Sequence, residues 1–187
     1  MIDYFALLGI ERRPAITEET LKGAYFQKSE SLHLDPARSS EVFAVNAAFQ
    51  TIANPATRIQ HLLTLEFGDP CGGEISSDLG KLFGTIVEVL QIADQELGSL
   101  SARSSPILRA LAYQSLDGLR EKLDQAEEEL SQRESALLEE VGRLDQSWFE
   151  SSVHARQPLA QVALGLTFVQ KWLSQVRERK IRLEELA

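Results

Sequence analysis

The chain has 187 residues, of which 43% are hydrophobic, and its formal net charge is −9. This charge argues against nucleic acid as a partner, because phosphate binding needs clustered Lys and Arg, and it also disfavours anionic membranes. The single cysteine, Cys71, excludes an intrachain disulfide and a cysteine-based zinc site. No export leader is evident, and no segment approaches the roughly 20 apolar residues that span a bilayer. We therefore expect a cytoplasmic protein.

Helical periodicity dominates the sequence, and β-branched alternation bounded by turns is absent beyond a few residues, which predicts an all-α fold. Thr17 is a suitable N-cap for a first long helix of about 15 residues. A polar segment, residues 33–40, separates it from a second amphipathic helix, so the two helices should pack antiparallel. Asn54 and Pro55 then predict the start of a further helix that Gly68 can end.

A cluster of turn-forming residues marks the best domain boundary in the chain. Residues 68–73 contain three glycines and a proline. We therefore expect two domains with independent cores, residues 1–71 and residues 72–187.

The second part of the chain carries leucine-rich helical patterns. They predict a helix over residues 79–97, a longer one from Leu119 to Trp148, and a third that begins after Pro158. Nearly heptad spacing in the last two predicts an antiparallel hairpin, and the first helix can close it into a three-helix bundle.

Five segments carry a resemblance to a known family. Residues 3–10, DYFALLGI, are followed at the expected distances by His33-Leu34-Asp35 and by NAAF at residues 46–49. This order resembles the start of a J domain. Residues 55–65, PATRIQHLLTL, are similar to the fourth helix of the HscB-type J-domain co-chaperones of iron–sulfur cluster assembly, and residues 166–173, LTFVQKWL, to their last helix. The resemblance implies an N-terminal J domain followed by a C-terminal three-helix bundle.

The resemblance also implies a function without catalysis or a cofactor. Such a co-chaperone delivers an iron–sulfur scaffold, or a similar client, to a heat-shock ATPase of the DnaK and HscA type. The residues expected to bind the chaperone are His33, Asp35, Lys22 and Lys28. The residues expected to bind the client are Phe83, Val87 and Glu88 on the first bundle helix, with Phe168 beside them.

The signature loop departs from the family pattern. The family carries His-Pro-Asp, whereas this chain reads His33-Leu34-Asp35-Pro36. Proline fixes its own φ and biases the residue before it, so the restraint falls on Asp35 instead of His33. The helix before the loop is also net −1, since three glutamates outnumber two lysines, whereas the family is usually basic there. Both departures predict weak ATPase stimulation, and the alternative is a J-like interaction module that has lost it.

These residues also allow other interpretations. His33 and Asp35 could be a general base and its orienting carboxylate, but no nucleophile lies nearby in the sequence, so we expect no catalytic site. Three scattered histidines make a poor metal site. Phe83 and Phe168 could equally be core residues, because apolar positions on a bundle helix are most often buried.

Overall fold

The computed structural model describes residues 1–33, 39–68, 77–101 and 106–186. Within these ranges the chain forms seven helices and no strand, which confirms the all-α prediction. The helices are α1 (Tyr4–Leu8), α2 (Glu18–His33), α3 (Ser39–Ala53), α4 (Pro55–Phe67), α5 (Ser77–Ser101), α6 (Pro106–Gln146) and α7 (Trp148–Leu186). None of these described helices combines the length and the apolar character needed to cross a bilayer.

The chain divides into two compact units. The first contains Met1–Glu74 and Leu137–Thr167, and the second contains Ile75–Ala136 and Phe168–Ala187. The first unit thus includes the end of α6 and much of α7, which the sequence analysis grouped with the second domain. The expected boundary between residues 71 and 72 lies outside the described residues and stays a prediction.

Helix ends follow the capping residues that the sequence predicts. The Thr17 hydroxyl accepts a hydrogen bond from the Thr20 N–H at 3.2 Å. The Asn54 side chain accepts from two backbone N–H groups at the start of α4. That helix ends at Gly68, whose φ of 78° is left-handed and therefore favours glycine. The predicted starts of α2 and α4, and the predicted end of α4, are confirmed.

The last helix begins earlier than predicted. Trp148 is the first residue of α7 instead of the last of the preceding helix, and Pro158 lies inside α7 instead of before it. The backbone leaves helical geometry at Ser151, with φ −157° and ψ 64°. Ala155 and Leu159 are both buried on either side of the proline. Their packing holds the helix across Pro158, although proline removes one backbone hydrogen bond.

A buried carboxylate ties the connection between α1 and α2 to the end of α6 in the first unit. Asp145 is only 6% exposed. Its Oδ1 accepts from the Ala15 N–H at 2.9 Å and from Arg13 Nε at 3.2 Å, and its Oδ2 accepts from Arg13 Nη2. Trp148 Nε1–H donates to the Arg12 carbonyl at 3.1 Å. These bonds fix the path of residues 12–15, the segment that leads into α2.

A histidine fills the contact between α1 and α4. The Tyr4 N–H donates to His61 Nε2 at 3.1 Å, so this nitrogen is unprotonated. The imidazole stacks on the rings of Tyr4 and Phe5, with centroids 4.7 and 5.8 Å away. Burial lowers the pKa of His61, and the nearby Asp3 carboxylate opposes this effect only partly.

In the second unit, segments of α5, α6 and α7 pack through buried leucine, valine and alanine side chains. Polar pairs between α6 and α7 advance in opposite directions along the two helices: Glu134 with Gln170, Glu127 with Arg177, and Asp124 with Lys180. The two helices therefore run antiparallel here. Arg179 pairs with Asp94 at 3.1 Å and joins α7 to α5.

Removing the Asp145 carboxylate should destabilise the first unit. We expect Asp145→Ala to lower the free energy of unfolding by about 3 kcal/mol, because the Ala15 N–H and the Arg13 guanidinium lose their acceptor. Asp145→Asn keeps an acceptor without the charge and should cost about half as much. Urea unfolding followed by circular dichroism measures both. The control is Glu11→Gln, an exposed acid 3.9 Å from Arg13. If Asp145→Ala costs no more than this control, the carboxylate is not a structural anchor.

The lowered pKa of His61 makes stability depend on pH. The unfolded chain binds a proton below about pH 6.5, whereas the folded chain resists protonation, so the free energy of unfolding should be full above that pH and fall below it. Urea unfolding at about pH 7.5 and about pH 5.5 measures the difference. His61→Gln should flatten this dependence, and His154→Gln, on an exposed histidine, should leave it in place. Equal pH dependence in all three proteins would contradict the assignment.

Candidate functional site

Helices α2 and α3 form the framework of the predicted chaperone-binding loop. The Tyr25 hydroxyl donates to Asn46 Oδ1 at 2.8 Å, and the rings of Tyr25 and Phe49 lie 4.5 Å apart. His33 is the last residue of α2. Asp35 lies outside the described residues, as does the placement of the His33 side chain. The relative position of the imidazole and the carboxylate therefore stays a prediction.

The two predicted lysines of α2 occupy different environments. Lys22 is exposed, and its Nζ lies 2.5 Å from Glu18 Oε1 one turn earlier. The hydrogen bond and charge of Lys22 hold the pKa of the Glu18 carboxyl below its usual value. Lys28 is half-buried. The exposed positive charge on α2 is thus balanced locally.

An aromatic side chain on the outer face of α2 was missed by the sequence analysis. Phe26 is 66% exposed, although the neighbouring Tyr25 points toward α3. Glu19 lies seven residues before Phe26 and Glu30 lies four residues after it, and both glutamates are exposed. This spacing places all three on one helix face. The face is therefore acidic with an apolar centre, and its spacing was visible in the sequence.

Two of the predicted client-binding residues, Phe83 and Phe168, meet at an aromatic cluster in the second unit. The rings of Phe83 and Phe168 lie 5.3 and 5.8 Å from the ring of Trp172. Trp172 is only 5% exposed, whereas Phe83 is 48% exposed. The cluster thus has a buried base and an accessible edge. Sequence analysis missed Trp172, although it follows Phe168 by four residues and so shares its helix face.

The surface beside Phe83 combines apolar and polar groups. Val87 is half-buried one turn after Phe83, and Glu88 is exposed. Gln91 and Gln95 are also exposed on the same helix. Phe83 is therefore not a buried core residue, and the surface around it has an apolar centre with polar groups around it, as protein interfaces commonly do.

The part of the chain that the structure describes contains no candidate metal site. Among those residues, no three His, Cys, Asp or Glu side chains come close enough together to hold a metal ion. Cys71 lies outside the described ranges.

The fold and these surfaces define an all-α protein of two compact units. No model of a known protein family matches the chain, and no curated protein matches its sequence. The resemblance to HscB-type co-chaperones therefore rests on the five sequence segments and stays a hypothesis.

Proposed function

We propose that this protein is a J-domain co-chaperone that delivers an iron–sulfur scaffold, or a similar client, to a DnaK/HscA-type ATPase and stimulates that ATPase weakly. The observation that carries the proposal is the accessible edge of the aromatic cluster. Phe83, Val87 and Glu88 were selected from the resemblance alone, and each is at least partly accessible to a partner. A half-exposed aromatic ring over a buried tryptophan is a strong anchor for protein binding.

The paired helices α2 and α3 support the chaperone-binding part of the proposal. Their packing through Tyr25, Asn46 and Phe49 gives a rigid helix pair, and the sequence carries the expected contact residues between these two helices. The outer face of α2 supports the weakness of the stimulus. Glu19 and Glu30 would repel an acidic ATPase surface, and Lys22 is already paired with Glu18.

The same face of α2 favours a second candidate function. Its acidic character and the displaced proline suit an interaction module that binds a client without stimulating any ATPase. Client binding with no measurable stimulation would favour this alternative, and measurable stimulation would favour the co-chaperone.

The ATPase partner provides the first test. Steady-state ATP hydrolysis by DnaK-type and HscA-type chaperones should rise little on addition of this protein. Leu34→Pro alone should restore little, because Pro36 and the acidic α2 face remain. Combining Leu34→Pro and Pro36→Lys with Glu19→Lys and Glu30→Lys should exceed any single change by about tenfold, since loop geometry and charge act on different steps of docking.

His33→Gln in the combined variant is the control and should abolish the gain, because the imidazole is part of the expected contact. Strong stimulation by the unmodified chain would contradict the proposed weakness. A gain that survives His33→Gln would show that the loop is not the contact.

The client surface provides the second test. Binding of an iron–sulfur scaffold protein, measured by calorimetry, should weaken about thirtyfold in Phe83→Ala, as expected for a central aromatic anchor. Val87→Ala should weaken it less. Ile181→Ala is the matched control, because Ile181 is 56% exposed in the same unit and lies at least nine residues from the aromatic residues of α7. Equal affinities of the Phe83 and Ile181 variants for the scaffold would contradict the assignment of Phe83 to the client-binding surface.

A further inference from the structure

The first unit contains a cavity that no part of the proposed function uses. Its volume is about 690 Å³, within the range of small-molecule sites. Apolar side chains from two parts of the chain, the α1–α2 connection and α6, line it: Ile10, Ile16, Leu138 and Val141. Arg58 and Asp145 also line the cavity. It is therefore an apolar space with a few charged groups, which is the usual composition of a ligand pocket.

Arg58 is the unusual member of this lining. The residue is only 6% exposed. Its Nε donates to the Pro14 carbonyl at 2.8 Å, and its Nη1 donates to the Ile52 carbonyl at 2.9 Å. Both acceptors are neutral. Within the described residues, Nη2 donates no hydrogen bond and the guanidinium makes no ion pair.

The acids around the cavity do not neutralise this guanidinium. Asp145 has both carboxylate oxygens occupied by Arg13 and by the Ala15 N–H. Glu11 also lines the cavity, but its side chain is 64% exposed and therefore screened by water. Burial lowers the pKa of Arg58 to about 10, against which the charge of Asp145 acts only partly, so the side chain is still charged at neutral pH.

A buried charge without an ionic partner is costly, and an anion that enters from solvent would offset that cost. The free Nη2 donors can bind a carboxylate, which matches the planar geometry of a guanidinium. The apolar lining can bury a short hydrocarbon chain. We propose that this cavity is a binding site for a small aliphatic carboxylate, held by Arg58 and by the apolar side chains around it.

Two arginines of the first unit allow a matched comparison. Arg12 is exposed, pairs with Asp3 and Glu66, and does not line the cavity. Arg12→Met therefore removes a guanidinium without changing the site, whereas Arg58→Met removes the proposed anion ligand. Leu138 lines the cavity and is 42% exposed, so Leu138→Trp should narrow the entrance without disturbing the core.

The test is calorimetric titration of the full chain with hexanoate and with hexanamide, its neutral analogue. Hexanoate should bind at least about tenfold more tightly than hexanamide, because only the carboxylate makes charge-assisted bonds to the guanidinium. Arg58→Met and Leu138→Trp should each remove most of the hexanoate affinity, and Arg12→Met should leave it unchanged. Glu11→Lys should strengthen binding by about threefold, since it replaces a repulsive charge at the cavity by an attractive one.

The amide comparison and the Leu138 and Glu11 variants decide the question even if Arg58→Met fails to fold, because none of them touches the hydrogen bonds of Arg58. Equal affinity for hexanoate and hexanamide would overturn the proposal. So would the absence of hexanoate binding at millimolar concentration, or equal losses in Arg12→Met and Arg58→Met.

Discussion

The buried carboxylate of Asp145 is the interaction on which the first unit depends most. Its partners Arg13 and Ala15 lie 132 and 130 residues away along the chain, so a single side chain closes a very long loop. The Trp148 indole adds a hydrogen bond to the same segment. Without these bonds, the connection between α1 and α2 could adopt several conformations. Because Asp145 accepts hydrogen bonds from this connection, the segment that leads into α2 and one wall of the cavity have fixed positions.

The two buried charged side chains of this region, Asp145 and Arg58, differ in their hydrogen-bond partners. Asp145 receives three hydrogen bonds from residues 13–15, which engage both of its oxygens. Arg58 reaches the carbonyl of Pro14, in the same segment, but finds only neutral oxygens. Residues 13–15 thus donate to the carboxylate of Asp145, and within the described residues the Arg58 guanidinium makes no ion pair. Arg58 therefore joins α4 to residues 14 and 52 through neutral acceptors while its charge lacks the close counter-ion that Arg13 has, and a buried charge of this kind is costly.

Sequence patterns predicted the local features well and the long-range ones poorly. Thr17, Asn54 and Gly68 act within one helical turn, so their roles could be read from the order of residues. The placement of Pro158 inside α7 depends instead on the burial of its neighbours, and no local rule supplies that information. The Arg13–Asp145 pair could not be found from the sequence for the same reason, since polar residues far apart carry no mark of their partner. The exposure of Phe83 could not be predicted either, because it depends on packing against Trp172 of another helix.

The two candidate surfaces differ in how far they depend on the packed core. This difference affects whether one surface can change while the other is kept. The aromatic cluster joins α5 to α7, so its geometry is supported by the core beneath Trp172. The outer face of α2 is set by largely exposed side chains, among them Glu19, Phe26 and Glu30. Substitutions there cost little stability, so its charge can drift while the fold stays intact. If the proposed function is right, a client surface supported by the core and a chaperone surface that can vary would allow client binding to persist after ATPase stimulation weakens.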